Sequence, residues 1–193
     1  MKNICFKYME KCEFEDYLPA MFEVLYANMS SIAPTNNSYE ADFQIWVSHI
    51  TSALCETYRE TILLYADSEF VGYFRYSLNS GTQSFLMEDI QIKSEFQEAG
   101  LFSSCLRWLV NQLPKNILCV EAYADKRNSR SCTILEHFGL KCTGENKNGL
   151  SLRYTGEYAK FCSRFCYQYF LRRQLVNGYP ESVIVRPKTS LLP

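Results

Sequence analysis

A single mixed α+β domain is predicted by three features of this chain. Its 193 residues, 47% hydrophobic and 21% charged, can bury one sizeable core. Segments of period two, such as Ile90 and Ile92 against Asp89, Gln91 and Lys93, occur beside segments of helical period, such as Phe102, Leu106, Leu109, Val110 and Leu113. No linker interrupts the alternation.

The elements follow in order. A strand near Ile4 to Met9 opens the chain, and Asp16 as N-cap with Pro19 in the first turn predicts a helix running to Met29. Ser30 to Asn37 reads as loop. Asn37 and Glu40 form a capping pair for a second helix, whose apolar stripe of Phe43, Trp46, Val47, Ile50, Leu54 and Tyr58 is assigned to the core. Thr61 to Tyr65 and Phe70 to Leu78 pair around Asp67-Ser68, and Asn79-Ser80-Gly81 turns the chain into a strand through Phe85-Leu86-Met87 to Ile92. Pro114 stops the helix that begins near Phe102. A strand near Ile117 to Ala122, a helix after Asn128, and a hairpin of Leu140 to Gly144 with Leu150 to Tyr154 around Asn148-Gly149 complete the sheet.

Composition narrows the partners. A net charge of −1 and the lack of any lysine- or arginine-rich run give no footprint for nucleic acid or a membrane surface, so neither partner is expected. The N-terminus lacks the apolar core of a signal peptide, and no apolar run approaches ~20 residues; a cytoplasmic protein is expected. Nine cysteines are scattered without a Cys-x-x-Cys, and neither His49 nor His137 has a partner at metal-ligand spacing. Reduced thiols used as small hydrophobes and no metal are the expectation.

The segment with most chemistry is Gln97-Glu98-Ala99-Gly100-Leu101-Phe102, a glycine-bearing turn between a strand and an amphipathic helix. Free backbone N–H groups and the positive end of the helix dipole point outward there, which suits a phosphate or pyrophosphate; turns of this shape also occur simply as helix caps. The turn resembles the Gln/Arg-x-x-Gly-x-Gly/Ala pyrophosphate loop of the GCN5-related N-acetyltransferases (GNAT), with Phe102 in place of the last small residue. Asn128-Ser129-Arg130-Ser131 through Phe138-Gly139-Leu140 resembles the second signature of that family, Asn-x-x-Ser/Ala, a hydrophobic turn and then Gly-Phe. The similarity spans about residues 60 to 155.

The resemblance implies an acetyl-CoA-dependent N-acetyltransferase that moves an acetyl group to a primary amine of a small molecule or peptide by direct attack. It implies a mostly antiparallel sheet of six to seven strands, splayed between strands 4 and 5, with helices on both faces. Acetyl-CoA would be the co-substrate: Ile90, Gln91 and Ile92 would meet the pantetheine arm, Gln97, Glu98, Ala99, Gly100, Leu101, Phe102 and Ser103 the pyrophosphate, and Asn128 and Ser131 the arm again.

Attack by an amine needs a proton acceptor, an oxyanion partner and a proton for the leaving thiolate. Met87-Glu88-Asp89-Ile90-Gln91-Ile92 resembles the acidic strand of polyamine-type members, which makes Glu88 the candidate base; an ordinary solvated or salt-bridged strand residue is the other reading. Strict alternation turns Asp89 the other way. Members of the family often carry a tyrosine as general acid seven residues after the signature asparagine, and here Leu135 stands there. Tyr123 is the substitute candidate, with His137 behind it. Leu135 also feeds an alternative function, a non-catalytic acyl-CoA-binding or regulatory module of the same fold.

Residues 1–155 are assigned to the acetyltransferase domain. Residues 156–193 are assigned to an aromatic helix carrying Tyr158, Phe161, Cys162, Phe165, Tyr169 and Phe170, and a tail, packed on the same domain as monomer or homodimer. The acceptor is expected to meet loops such as Ile32 to Ser38 and Glu145 to Gly149.

Overall fold

The structure, a computed structural model, describes residues 3–54 and 58–164. In chain order its elements are β1 (Ile4–Tyr8), α1 (Phe14–Met29), α2 (Tyr39–Leu54), β2 (Arg59–Ala66), β3 (Glu69–Asn79), β4 (Ser84–Ile92), α3 (Leu101–Val110), β5 (Cys119–Asp125), α4 (Ser129–His137), β6 (Lys141–Glu145) and β7 (Ser151–Glu157). The strands form one seven-stranded sheet in the order β1-β2-β3-β4-β5-β7-β6, antiparallel throughout except for the parallel β4–β5 pair. This is the mixed, mostly antiparallel architecture expected from the sequence.

Alternation along the strands divides the core between two faces. On one face Phe74, Phe85, Met87 and Val120 pack with Leu101, Leu106 and Leu109 of α3 and with Leu135 and Phe138 at α4. Leu106 and Leu109 are fully buried, and each contributes about 1.5–3 kcal/mol over an exposed side chain. On the other face Leu63 and Tyr73 pack under Met21 of α1, and Ile50 of α2 packs with Phe14 and Leu18.

The helix starts differ from the sequence expectation. A 3-10 turn, Lys11–Glu13, closed by a capping box of Glu10 and Glu13, leads straight into α1 at Phe14. Asp16 therefore sits in the first turn, and Pro19 lies inside the helix instead of opening it. For α2 the cap is Ser38, whose Oγ accepts the Ala41 amide at 3.2 Å, while Asn37 donates its side chain to Asp42. Phe43, Trp46 and Val47 pack as expected around Ile50, but Tyr58 lies beyond α2 and is exposed. The turn at Asp67-Ser68 has positive φ at both residues, as a tight hairpin of right-handed twist requires.

The sheet opens in one place. β4 and β5 pair only over Ser84–Met87 and Cys119–Ala122. Beyond that, β4 stays with β3 as far as Ile92 opposite Gly72, while β5 stays with β7 as far as Asp125 opposite Ser151. A β-bulge falls at the parting, where Tyr76 pairs with Met87 and Arg75 with Asp89, leaving Glu88 as the extra residue. The added local twist of a bulge favours such a separation.

Residues 158–164 begin a helix that returns to the main core, with Phe161 buried against Phe85 and Phe138 and the Tyr158 amide bonded to the Leu118 carbonyl at 2.9 Å. Phe165, Tyr169, Phe170, the tail, Cys55 and Cys166 lie outside the described residues. The described cysteines are free thiols, and burial pushes the Cys105 thiol well up, which removes it as a nucleophile. Among the described residues, no helix is long and apolar enough to cross a membrane, and no cluster of His, Cys, Asp and Glu could hold a metal.

Candidate active site

The wedge between β4 and β5 holds a cavity of about 810 Å³ lined from both faces of the sheet. Trp46, His49 and Arg59 line it on the α1–α2 side, and Phe102, Asn128 and Leu135 on the α3–α4 side. Of the loops expected to meet an acceptor, neither Ile32 to Ser38 nor Glu145 to Gly149 contributes to this lining.

Glu88 and Asp89 both reach the α1–α2 face, against the alternation that turned Asp89 away. The bulge places two consecutive side chains on one side. Glu88 accepts from Arg59 Nε at 2.6 Å and faces Arg75 at 3.6 Å, while Arg59 also donates to the Ala53 carbonyl of α2. Asp89 accepts from the Tyr73 hydroxyl at 2.7 Å and from Gln91 Nε2 at 2.8 Å. Both carboxylates line the cavity, Glu88 at the mouth of the wedge with its side chain 12% exposed.

Burial raises the Asp89 carboxyl above its ordinary value, outweighing the hydrogen bonds from Tyr73 and Gln91 that pull the other way. The folded state therefore holds this proton more tightly than the unfolded chain, and stability must fall as pH rises from the ordinary carboxylate range through the raised value. Urea titrations from about pH 4 to pH 8 should show that fall in the native protein and lose it in Asp89→Asn. Parallel profiles for the two proteins would contradict the assignment.

Asp89 joins Tyr73 to a longer hydrogen-bonded chain. Gln91 accepts from Asn28 of α1 at 2.9 Å, and Asn28 accepts from Gln97 Nε2 at 3.1 Å. Asn28 and Gln97 both donate to the Ile92 carbonyl, and Arg130 of α4 donates to Gln97 at 2.6 Å. The Gln91 and Gln97 side chains thus brace the end of β4, and the Ile92 carbonyl is already engaged within the protein. Ile90 and Ile92 pack toward α3, as their period predicted.

The turn after β4 has the expected form. Gly100 is the N-cap of α3 in the left-handed region, with φ of 74°, and Glu98 adopts φ of 67°. The Ser104 amide is bonded to the Gly100 carbonyl at 3.0 Å, so those of Leu101, Phe102 and Ser103 precede the helical ladder. Glu98 is exposed and ion-paired to Arg130 at 3.3 Å, and Ala99 is exposed beside it. Phe102, where a small residue was expected, instead inserts its ring between Phe74 and Phe138.

Asn128 caps α4 by accepting the Ser131 amide at 3.0 Å, and both residues line the cavity. Tyr123 also lines it and is 44% exposed; because Ala122 and Ala124 lie in the α3–α4 core, Tyr123 points to the same face as Glu88, across the wedge. Leu135 is buried in the wall, whereas His137 is exposed at the end of α4 and does not line the cavity. Sequence reasoning missed Arg59 and Arg75. A single arginine within the apolar run Phe70 to Leu78 was the available signal.

No family model and no curated protein matches the sequence. Solved structures do match in fold. An acetyltransferase from Thermus thermophilus superposes with a TM-score of 0.65 at 16% identity, over 81% of this chain and 99% of that one. PaiA N-acetyltransferase from Thermoplasma acidophilum, in complex with coenzyme A, gives 0.62 at 13% identity over 81% and 99%. Mycobacterium smegmatis RimJ, in complex with CoA-disulfide, gives 0.62 at 15% identity over 85% and 88%. The fold is that of the GNAT acetyltransferases.

Proposed function

We propose that the protein is an acetyl-CoA-dependent N-acetyltransferase acting on a primary amine. The observation that carries this is the wedge: two parallel strands part at Met87 and Ala122, a glycine turn opens the helix that follows β4, and a carboxylate stands at the bulge where they part. Of the solved neighbours of the same fold, one is in complex with coenzyme A and another with CoA-disulfide.

The residues present suit acetyl-CoA. The main-chain amides of 98–103 and the α3 dipole would hold the pyrophosphate, and the edge of β4 from Glu88 to Ile92 that β5 leaves, unpaired among the described residues, would lie along the pantetheine. The bound thioester supplies an acyl carbon open to attack. From the α1–α2 face, Glu88 accepts the proton lost by the amine as the C–N bond forms, directly or through one water. Tyr123 stands across the wedge to give a proton to the sulfur as the C–S bond breaks. Leu135, buried in the wall, has no proton to give, so this role passes from α4 to β5.

Thiol release from acetyl-CoA over a panel of primary amines tests the reading. Release that depends on the amine is the expected result, with Tyr123→Phe lowering turnover by about tenfold or more. Acetyl-CoA binding without release on any amine would instead favour the non-catalytic acyl-CoA-binding module that Leu135 suggests.

A further inference from the structure

Arg75 is the feature the transfer reaction leaves unexplained. It lies in the middle of β3, its side chain is 8% exposed, and it lines the cavity. Its counter-charge, Glu88, is 3.6 Å away and held more closely by Arg59 at 2.6 Å. The other nearby carboxylate, Asp89, has its oxygens taken by Tyr73 and Gln91. Among the described residues the Arg75 guanidinium makes no hydrogen bond, yet Trp108 Nε1 is the only sealed side-chain nitrogen or oxygen left without a partner. The unused donors of Arg75 are therefore open to the cavity.

A nearly buried guanidinium is costly unless an anion meets it, and its planar fork fits a carboxylate. We propose, resting on the transferase reading above, that the acceptor is an α-amino acid whose carboxylate is seated on Arg75 and whose amino group is turned toward Glu88. The two signs of charge stand side by side in the cavity, as a small zwitterion presents them. Leu25, Met29 and Trp46 line the same cavity with apolar surface, which selects a hydrophobic or aromatic side chain.

The test compares amino acids such as methionine and phenylalanine with their C-terminal amides, which keep size and amine but lose the carboxylate charge. Thiol release should favour the acids by about tenfold to a hundredfold in kcat/KM, and Arg75→Gln and Arg75→Lys should each narrow that ratio. Amides used as well as acids would overturn the carboxylate seat while leaving the transferase reading intact. If no amine is turned over, the transferase reading fails, and calorimetry still decides the seat. Binding of N-acetylmethionine at least about tenfold tighter than its amide to the native protein with coenzyme A present supports it, and equal binding overturns it. The native-protein comparison stands even if an Arg75 variant does not fold.

Discussion

Replacing Glu88 by glutamine should lower kcat by about 10²–10⁴-fold, the usual contribution of a positioned general base. The carboxylate stands at the bulge beyond the last β4–β5 pair, where it lines the cavity, and the hydrogen bond from Arg59 fixes its orientation. Glutamine keeps the shape and one acceptor for Arg59, so the folded protein should persist while turnover falls. The pH profile separates the roles: loss of a base removes the acidic limb of kcat/KM, whereas loss of a purely structural ion pair lowers stability and leaves the limb in place. Turnover by Glu88→Gln equal to the native protein across pH would contradict the base assignment.

The second large effect belongs to Gly72, opposite Ile92 at the far end of β4. A Cβ there would stand 2.2 Å from the Gln91 carbonyl oxygen and 2.9 Å from the Ile92 Cα, both main-chain atoms that no rotamer change can clear. Gly72→Ala must push β3 and β4 apart or twist them. Overpacking of this kind costs about 3 kcal/mol, which for a chain of this size lowers Tm by about 6–12 °C. The displaced strand end is also the one that Asn28 and Gln97 grip at the Ile92 carbonyl. Acetyl-CoA affinity should therefore fall along with Tm, and a calorimetric scan showing Tm unchanged would remove the close-approach argument.

Much of the fold was legible because its signals are local and periodic. Ile90 and Ile92 pack toward α3 as a period of two requires, and Leu106 and Leu109 of α3 are buried as a helical period requires. The glycine-bearing turn before α3 and the helix after Asn128 were legible in the same way, although Asn128 as the cap of α4 and the left-handed φ of Gly100 emerged only in the structure. What failed depended on pairing between distant segments. The bulge that brings Glu88 and Asp89 to one face has no glycine or proline to mark it, because it arises from the register of β3 against β4. Ser38 displaced Asn37 as cap by a single residue, a boundary that neighbouring polar residues contest equally well. The partnership of Arg59 with Glu88 joins residues 29 apart in sequence, beyond the reach of any local pattern. The glycine turn and the acidic strand were thus readable in the sequence, and the charge arrangement around them was not.

The central claim is that an acetyl group passes from coenzyme A, held in the wedge between β4 and β5, to an amine approaching from the α1–α2 face. Incubating the protein with acetyl-CoA carrying an isotopically labelled acetyl group and an amine panel, and weighing the amines by mass spectrometry, tests this directly. The predicted result is an amine that gains one labelled acetyl for each thiol released, with transfer depressed in Glu88→Gln. Unmodified amines beside bound, intact acetyl-CoA would contradict it.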